Sequence, residues 1–353
     1  MCEDEVYYLA VDLLKEMIKT PSFSRKEEEV AQLIAHKMED LRLSFERKGN
    51  NLWAFAQPYD QHKKTILLNS HIDTVKVSSD WEKDPFGAEE EDDTIWGLGS
   101  NDAGASVVSL FGAFLLMRQR ELPYNLIFSA TAEEEVSGEE GIASVIPVLP
   151  YIDLAIVGEP TRMQLAIAEK GLIVVDGVVK GKAGHAARNE GINAIYEALP
   201  VIEKIKNLKF PKSSAVLGEV KTTLTVIQAG SQHNVVPDRL TFTLDVRTNE
   251  CYSNEEAFAY LQKEIPCELN ARSFRLNSSG ILPNHPIVER ARLLGLECFG
   301  SPTLSDQSRM PFTSVKIGPG DSARSHTANE YIRKSEIREG IDIYVRLLKD
   351  LAI

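Results

Sequence analysis

Short, mostly apolar runs alternate with polar turns in the first and last parts of the chain. Four of these runs precede acidic or histidine side chains, and they lie at 66–68, 126–128, 154–157 and 315–317. Apolar runs of this length, bounded by turn residues, are typical of strands that are buried on both faces of a parallel sheet. Because ligands bind beyond the carboxyl ends of such strands, we expect the polar residues after the four runs to meet at one edge of one sheet.

Apolar residues at helical spacing predict helices that flank this sheet. One helix precedes Pro21, a second covers about 25–40, and a third at 103–119 is apolar on all sides and is therefore predicted to be buried. A final helix is predicted at 335–351. The pattern predicts an α/β fold with a mixed, mostly parallel sheet flanked by helices.

The pattern changes near residue 171. Helices and strands then mix without further runs of the parallel type, in the segments 173–180, 190–207, 222–229, 240–247, 254–265 and 269–276. We therefore predict a small α+β domain inserted into the first domain. The predicted boundaries are 1–170 for the first part of the outer domain, 171–277 for the inserted domain and 278–353 for the second part of the outer domain.

Composition excludes several classes of protein. The 353 residues carry a formal net charge of −13, which argues against nucleic-acid binding because a phosphate-binding face needs clustered Lys and Arg. No apolar stretch reaches the roughly 18 residues that span a bilayer, and the acidic first five residues lack the basic region of a signal peptide. The four cysteines form no C-x-x-C pair. Scattered thiols favour a reducing compartment, so the sequence predicts a cytoplasmic protein.

His71 and Asp73 follow the first of the four runs. A single histidine is usually structural, but a histidine at the carboxyl end of a strand with an acidic neighbour is not typical of a core. A metal-bound histidine commonly needs a carboxylate on its second ring nitrogen, and Asp73 is a candidate for that role. Asp73 is also suited to orienting another ligand. We predict that His71 binds a metal.

Asp102 lies at the start of the predicted buried helix, shortly after a Gly-x-Gly at 97–99. An aspartate in this position is also a good helix N-cap. The Gly-x-Gly suggests a dinucleotide-binding fingerprint, but residues 89–93 before it are a run of charges rather than a buried strand, and the third glycine is misplaced. The residues alone leave Asp102 open between a cap and a metal ligand.

Three consecutive glutamates, Glu133, Glu134 and Glu135, follow the second run. Adjacent carboxylates repel one another unless a cation compensates them, although exposed acidic loops also exist. Neighbouring side chains point in different directions, so one glutamate can bind a metal while another faces an attacking water. These residues are the sharpest local indication of metal-dependent hydrolysis.

Glu159 follows the third run, and His326 lies in the loop after the fourth. Each of them alone is compatible with a surface position. With the segments above, they complete a set of two histidines and at least three carboxylates at the predicted edge of the sheet. Such a set suits two Zn²⁺-like ions bridged by one aspartate.

These motifs together resemble those of a family of co-catalytic zinc amidohydrolases. The family includes acetylornithine deacetylase, succinyl-diaminopimelate desuccinylase, aminoacylases and carboxypeptidases, and the resemblance covers almost the whole chain. It extends to the inserted domain through 184–185, 234–237 and 245–247. Within the family the chain is most similar to acetylornithine deacetylase, in the segments 131–137, 158–161 and 318–320.

The resemblance implies a zinc-exopeptidase-like fold, an inserted lid and dimerisation domain, and two divalent metal ions. Zn²⁺ is the expected metal and Co²⁺ the alternative. By the resemblance Asp102 bridges the two ions, and the implied ligands are His71, Asp102, Glu135, Glu159 and His326. The family often has Asp-x-Lys-Gly where this chain has Asp-Ala-Gly at 102–104. That departure leaves the ligand intact but weakens the assignment to one subfamily.

The resemblance also implies roles in catalysis and substrate binding. The implied catalytic residues are Glu134 as general base, Asp73, and His185, which would donate a hydrogen bond to the oxyanion from the partner subunit of a homodimer. The alternative for His185 is a surface or dimer-contact histidine. Arg247 is a candidate for the substrate carboxylate because guanidinium binds carboxylates bidentately, with a salt bridge inside the inserted domain as the alternative. Asn234 is the second candidate for substrate binding.

The predicted function is metal-dependent hydrolysis of the amide bond of an N-acyl amino acid. The expected substrates are N-acetylornithine and N-acetyl- or N-succinylcitrulline, in arginine biosynthesis. One alternative is a dipeptidase or aminopeptidase of the same family, which would use the same site with a different pocket. The other is a non-catalytic, metal-dependent binding protein.

Overall fold

The protein, represented by a computed structural model that describes residues 1–353, contains eight α-helices. They are α1 (Glu3–Lys19), α2 (Glu28–Asp40), α3 (Ala105–Met117), α4 (Ile142–Val145), α5 (Ala194–Lys206), α6 (Asn254–Glu264), α7 (Pro286–Leu293) and α8 (Lys334–Leu348). The helix predicted at 190–207 begins later, at α5, because Asn193 caps it by accepting a hydrogen bond from the backbone N–H of Ile195.

Eighteen strands accompany these helices. They are β1 (Phe45–Lys48), β2 (Asn51–Phe55), β3 (Thr65–His71), β4 (Glu90–Glu91), β5 (Thr94–Trp96), β6 (Asn125–Thr131), β7 (Leu154–Val157), β8 (Leu165–Glu169), β9 (Gly171–Lys180), β10 (Gly184–His185), β11 (Lys221–Ala229), β12 (Val235–Val236), β13 (Arg239–Thr248), β14 (Glu268–Ala271), β15 (Ser279–Gly280), β16 (Cys298–Ser301), β17 (Ser314–Lys316) and β18 (Tyr331–Arg333).

The chain forms two compact units. Unit 1 comprises Met1–Ile167, Gly280–Phe299 and Ser305–Ile353, and unit 2 comprises Ala168–Ser279 and Gly300–Leu304. The short segment Gly300–Leu304 therefore belongs to unit 2, whereas the sequence analysis assigned it to the second part of the outer domain.

Unit 1 is built on a nine-stranded sheet with the order β1-β2-β6-β3-β7-β17-β8-β15, in which β16 also pairs with β8. The four strands β6, β3, β7 and β17 are neighbours and run parallel. Strands β1 and β2 join this set antiparallel, as does β8 on the other side. The prediction of a mixed, mostly parallel sheet flanked by helices is confirmed, and the four apolar runs are its central strands.

Both faces of this sheet are covered, which explains why its central strands are apolar without alternation. On β3, Ile66 and Leu68 pack into the larger core with helices α1, α2, α3 and α8. Leu67, which points to the opposite face, packs into a second core with Ile142 and Val145 of α4. Successive side chains of a strand point to opposite faces, so the runs at 66–68, 126–128 and 154–157 each supply both cores.

Helix α3 lies at the centre of unit 1, with α1 and α8 packed against it. All 13 of its residues are buried. The expectation that no apolar stretch reaches the length that spans a bilayer is wrong by composition, because Ser100–Met117 is long and apolar enough. However, 94% of this segment is buried inside the fold. Its apolar character is therefore accounted for by its place in the core.

Unit 2 contains an antiparallel four-stranded sheet with the order β11-β13-β9-β14 and a core of its own. Buried and half-buried residues alternate along β9 and β13, because one face of the sheet packs against α5 and α6. Strand β11 is at the edge of the sheet and is exposed along most of its length. The strand predicted at 269–276 is shorter and covers Glu268–Ala271.

Candidate metal centre

The polar residues that follow the parallel strands of unit 1 meet at one edge of the sheet, as the sequence predicted. His71 is the last residue of β3 and pairs in register with Thr131, the last residue of β6. Glu134 and Glu135 follow β6, and Glu159 follows β7 by two residues. The carboxyl ends of parallel strands lie side by side, so these side chains converge without any contact that is local in sequence.

Asp102 lies between two histidines. One of its oxygens, Oδ1, is 3.3 Å from His71 Nε2, and the other, Oδ2, is 3.7 Å from His326 Nε2. The residue has φ −121° and ψ 98° and precedes α3, whose N-cap is Gly104. Asp102 is therefore not the helix cap, and its carboxylate is free to face two separate partners.

Three groups of donor atoms at this edge lie close enough to hold a metal ion. Within each group the donor atoms are within 4.8 Å of one another, and the groups are His71–Asp102–Glu159, His71–Glu134–Glu135 and Asp102–Glu135–His326. The first and third groups share Asp102 and contain all five ligands that the resemblance implies. The geometry is that of two adjacent sites with one common carboxylate.

The imidazole of His71 is fully buried and fixed on both sides. Its Nδ1 is 2.9 Å from the backbone oxygen of Asp73 and 3.4 Å from Asp73 Oδ1. An Nδ1–H that donates to this oxygen leaves Nε2 with its lone pair directed at Asp102 and Glu159, the tautomer that a metal ligand requires. The backbone of Asp73 thus has the orienting role that the sequence analysis considered for its carboxylate.

The carboxylate of Asp73 holds the glutamate loop. It accepts hydrogen bonds from the backbone N–H groups of Glu134 (2.9 Å) and Glu135 (3.1 Å) and from Ser24 Oγ (2.8 Å). Asp73 is completely buried, and these hydrogen bonds, with the charge of His71, outweigh burial and lower its pKa. An ionised Asp73 therefore fixes the backbone from which both Glu134 and Glu135 project.

Burial raises the pKa values of two glutamates at this edge, Glu159 and Glu134. Burial, partly offset by His71 and reinforced by Asp102, raises the pKa of Glu159 to about 8. Burial also raises the pKa of Glu134 well above its usual range; His71 opposes the rise, and Glu159, Asp306 and Glu135 add to it. The carboxylates therefore repel one another, and a cation among them would compensate that repulsion.

The two histidines respond to the same negative charge. Burial lowers the pKa of His71, but this effect is outweighed by hydrogen bonds to Asp102 and Asp73 and by the charges of Glu134 and Glu159. The net result is a pKa well above the usual value for histidine. His326 is half-exposed, and its hydrogen bond with Glu135 (3.1 Å) raises its pKa to about 9. Both rings lie where positive charge is favoured, which is also where a divalent cation would be stabilised.

The donor set fits divalent metal ions. Two imidazoles and three carboxylates are the ligands that Zn²⁺ and Co²⁺ accept in proteins. His71, Asp102 and Glu159 would hold one ion, and Asp102, Glu135 and His326 would hold the second. Glu134 belongs to neither of these two groups, although it lies 3.9 Å from His71 Nε2.

Several residues that contribute to the centre have no signal in the sequence pattern. Glu330 is buried and accepts hydrogen bonds from the backbone around Asp102.

Asp306 is also buried, accepts hydrogen bonds from Asn69 (2.7 Å) and Thr131 (3.0 Å), and has a pKa that burial raises to about 6. Glu27 is fully buried and accepts a hydrogen bond from the backbone N–H of Glu133 (3.3 Å). Their role comes from tertiary contacts alone.

The remaining three predicted site residues lie in unit 2. His185, on β10, is exposed, and its Nδ1 accepts a hydrogen bond from the backbone N–H of Ala187 (3.1 Å). Asn234 is exposed just before β12, next to His185 in the pairing of β10 with β12. Arg247, on β13, makes a two-point ion pair with Asp245 (2.8 and 3.1 Å). The structure thus gives Arg247 the internal salt bridge that was its alternative role.

The sequence was compared with known protein families. Residues 67–350 match the family described as peptidase family M20/M25/M40. The chain belongs to this family. It is 27% identical to an acetylornithine deacetylase of Shigella sonnei (strain Ss046), over 380 aligned residues that cover 96% of each protein. The resemblance inferred from the sequence motifs is confirmed, and the protein is a hydrolase of this family.

Solved structures show the same fold. An aminopeptidase PepT from Bacillus cereus ATCC 10987 matches with a TM-score of 0.77 and 18% identity, covering 97% of this chain and 98% of that one. A metallo-carboxypeptidase of the M20 family from Sulfolobus solfataricus matches with a TM-score of 0.71 and 21% identity, covering 96% and 98%. The YXEP protein of Bacillus subtilis, described as a dinuclear metal binding peptidase from the M20 family, has a TM-score of 0.77 and 16% identity, covering 98% of both chains.

Proposed function

We propose that this protein is a metal-dependent N-acyl amino-acid deacylase with two zinc ions at the edge of its sheet. The observation that carries the proposal is the position of Asp102, whose two oxygens face two different histidines. Each histidine has a further carboxylate within reach, Glu159 for His71 and Glu135 for His326. A shared carboxylate between two ligand groups is the arrangement of a two-metal hydrolytic site.

When bound, the two ions would lower the pKa of the attacking water and stabilise the developing oxyanion. The protein supplies the proton transfers. Glu134 would take the proton of the water and deliver it to the leaving amine, which needs a carboxyl whose pKa lies closer to neutral than that of an exposed glutamate. Burial raises the pKa of Glu134 in this direction. Asp73 supports the step by holding the backbone N–H of Glu134.

The proposed acyl and amino-acid parts of the substrate come from similarity to an acetylornithine deacetylase. Similarity to an acetylornithine deacetylase extends over 96% of both proteins. It supports N-acetylornithine and N-acetyl- or N-succinylcitrulline as substrates and a role in arginine biosynthesis. The test is a hydrolysis screen of N-acetyl and N-succinyl derivatives of ornithine, citrulline and arginine with the metal-loaded protein. Release of free amino acid from none of them would contradict the proposal.

A peptidase activity is the second candidate, and the structural relatives favour it. Two matched structures are described as an aminopeptidase and a metallo-carboxypeptidase. The same screen therefore includes dipeptides and tripeptides, and the ratio of kcat/KM for peptides to that for N-acyl amino acids decides between the two activities. A protein that binds metal but hydrolyses neither class would be the non-catalytic binding protein.

Zinc is proposed as the native metal and cobalt as a competent replacement. The test is elemental analysis of the protein purified without added metal, followed by reconstitution of the metal-free protein with each ion. We expect two Zn²⁺ per chain in the first measurement. We expect both ions to restore activity in the second, because imidazole and carboxylate ligands suit both.

We further propose that the protein is a homodimer through unit 2 and that His185 and Asn234 act there on the substrate. Edge strand β11 exposes Val226 and Ile227, and helix α5 exposes Tyr196, which is 68% accessible. An exposed apolar edge strand is a surface that pairs with another chain. This surface supports the dimer.

The dimer proposal is tested by the solution mass of Val226→Lys, which we expect to be that of a monomer. Leu293→Lys is the matched control, because Leu293 is an apolar residue of unit 1 that is even more exposed. The control should keep the dimeric mass. A wild-type protein that is monomeric at micromolar concentration would contradict the proposal.

A cytoplasmic location completes the proposal. All four cysteines are free thiols, which fits a reducing compartment. Fractionation of the source cells, with the protein followed by antibody, tests it. Recovery of the protein from the extracytoplasmic fraction would contradict it.

A further inference from the structure

Glu330 is a buried carboxylate that binds the backbone on which Asp102 lies. It is 2% exposed. Its Oε1 accepts hydrogen bonds from the backbone N–H groups of Asn101 (2.8 Å) and Asp102 (2.9 Å), and its Oε2 accepts one from Gly99 (3.0 Å). Three backbone donors on one carboxyl group hold the two segments in a fixed arrangement.

The backbone around Asp102 needs this carboxylate. Asp102 has φ −121° and ψ 98°, so it lies outside the helical geometry of α3. The N–H groups of Asn101 and Asp102 therefore cannot all pair within a helix, and buried N–H groups without a partner are costly. Glu330 satisfies both with one oxygen. The conformation that turns the Asp102 side chain towards the two histidines is thus stabilised by a residue far away in sequence.

A second contact binds the same two segments from the other side. The Asn101 side chain donates from Nδ2 to the backbone oxygen of Asp321 (3.1 Å) and to Ser325 Oγ (3.3 Å), and its Oδ1 accepts from the backbone N–H of Asp321 (2.9 Å). Ser325 is the residue before His326. Segment 99–102, which carries Asp102, and segment 321–330, which carries His326, are therefore held together at two points.

We propose that Glu330 is a positioning residue of the metal centre, which fixes the Asp102 carboxylate between the two ion sites and sets its distance to His326. The proposal rests on the metal centre of the proposed function. Glu330 would touch neither the ions nor the substrate. It acts through the backbone of Asp102 and not as a ligand of its own.

The test measures metal affinity rather than activity. Metal-free Glu330→Gln is titrated with Zn²⁺ in the presence of a competing chelator, and the affinity is compared with that of the wild-type protein. The amide has one accepting oxygen, so the N–H of Gly99 or those of Asn101 and Asp102 would face an amide NH₂ group. Loss of an orienting contact outside the ligands typically lowers metal affinity about 10- to 100-fold, and we expect a decrease in this range.

Asp153→Asn is the matched control. Like Glu330, Asp153 accepts a hydrogen bond from the backbone, here from the N–H of Thr65 (2.9 Å), and it also accepts one from Lys64 Nζ (2.7 Å). These contacts lie at the opposite end of β3 from His71. The control removes a carboxylate from the same unit without touching the centre. We expect its zinc affinity to stay within about twofold of the wild-type value, since no contact of Asp102 changes.

The outcomes separate the inference from the proposed function. Wild-type affinity in Glu330→Gln, or an equal loss in Asp153→Asn, would overturn the positioning role while leaving the metal centre intact. A wild-type protein that binds no zinc would overturn the metal centre itself. If Glu330→Gln does not fold, Glu330→Asp tests the same role, because it keeps the carboxyl group but shortens its reach to the N–H groups of Gly99, Asn101 and Asp102. We expect about 10-fold weaker zinc binding, and unchanged binding would overturn the role.

Discussion

The predicted site residues of unit 1 and those of unit 2 differ in how firmly the fold fixes them. His71 and Asp73 are buried, and each is held by several hydrogen bonds. His185 and Asn234 are exposed on short strands. Metal ligands that the fold already holds in position lose little conformational freedom when the ion binds. A residue that acts on the substrate can be left mobile until substrate is bound.

This contrast separates two kinds of functional residue. Changes in unit 1 should alter metal content or the chemical step. Changes in unit 2 should alter catalysis or substrate binding while metal content stays constant. The following predictions test that separation, from the largest expected effect to the smallest.

Glu134→Gln should have the largest effect on turnover. The amide keeps the shape of the side chain but cannot accept a proton, and loss of a general base typically costs about 10²- to 10⁴-fold, or more where base and metal act together. The variant should retain its two ions, because Glu134 is outside both main ligand groups. Activity and metal analysis on the same sample provide the check. If Glu134→Gln loses metal while Glu135→Gln keeps it, the two roles are reversed.

Asp102→Ala should be the most damaging change among the ligands. It removes the carboxylate that both sites share, so we expect the affinity for both ions to fall by more than the roughly 100-fold that an outer residue can cost. His71→Ala is the comparison, because it removes a ligand from one site only and should leave one ion bound. Elemental analysis of the two variants measures this. Two tightly bound ions in Asp102→Ala would exclude the bridging role.

His185→Ala should lower kcat by about 10²- to 10³-fold, the usual cost of losing an oxyanion donor. Its metal content should be that of the wild type, because His185 lies in unit 2. A subunit-exchange assay tests whether His185 acts on the active site of the partner subunit. The inactive variants His185→Ala and Glu134→Gln are mixed, allowed to exchange subunits and assayed for activity. In a mixed dimer one chain has the wild-type Glu134 and the other has the wild-type His185. If His185 acts in trans, these two residues meet in one active site, so partial activity should return. Confirmed exchange without recovery would mean that His185 does not act in trans.

Three of the predicted ligands of unit 1 could be selected from the sequence because each follows an apolar run that becomes a central strand. His71, Glu135 and Glu159 could be predicted from that local pattern together with the rule for parallel sheets. Glu330 could not, because it follows His326 in a polar loop and its burial depends on contacts with residues more than 200 positions away. Asp306 was missed for the same reason, since its partners Asn69 and Thr131 lie on distant strands.

The strands outside the parallel set were also difficult to predict. The small sheet of β4, β5 and β18 carries no apolar run. Short strands of this kind form because neighbouring segments offer hydrogen bonds, which a local pattern does not encode. The residues alone left Asp102 open between a helix cap and a metal ligand for a similar reason, because the non-helical turn before α3 is stabilised by Glu330.

Removal of the metal should make the stability of the protein fall as pH rises. Burial raises the pKa of Glu159 and of Glu330 to about 8 and that of Asp306 to about 6. At pH 6 the folded, metal-free protein therefore retains protons that the unfolded chain has lost. Carboxyl groups with raised pKa values contribute stability that is present below their unfolded values and is lost as pH rises through the folded ones.

The window of this effect is about pH 4.5 to 8, from the unfolded pKa values of the glutamates to their folded values of about 8, and each proton contributes about 1.4 kcal/mol per pH unit at most. The check is urea unfolding of the metal-free and zinc-loaded proteins at pH 6, 7 and 8. The free energy of unfolding should decrease across this range without metal. With zinc the decrease should disappear, because the cations stabilise the ionised carboxylates and bind more tightly as protons leave. Metal-free protein that gains stability from pH 6 to 8 would contradict this account.

Arg247→Lys should have the smallest effect of these changes. We expect it to alter substrate binding and not stability or metal content. Arg247 makes an ion pair with Asp245, and both side chains are about one-third exposed. Such a pair adds at most about 1 kcal/mol to stability, so the free energy of unfolding should hardly change in either Arg247→Lys or Asp245→Asn.

If the guanidinium also binds the substrate carboxylate, the two variants diverge in their kinetics. Lysine cannot reproduce bidentate binding, so Arg247→Lys should raise KM about 10-fold with little change in kcat. Asp245→Asn keeps the guanidinium and releases it from its internal partner, so its KM should stay the same or fall. Equal KM values for both variants and the wild type would limit Arg247 to its salt bridge in unit 2. The substrate carboxylate would then need another cationic partner.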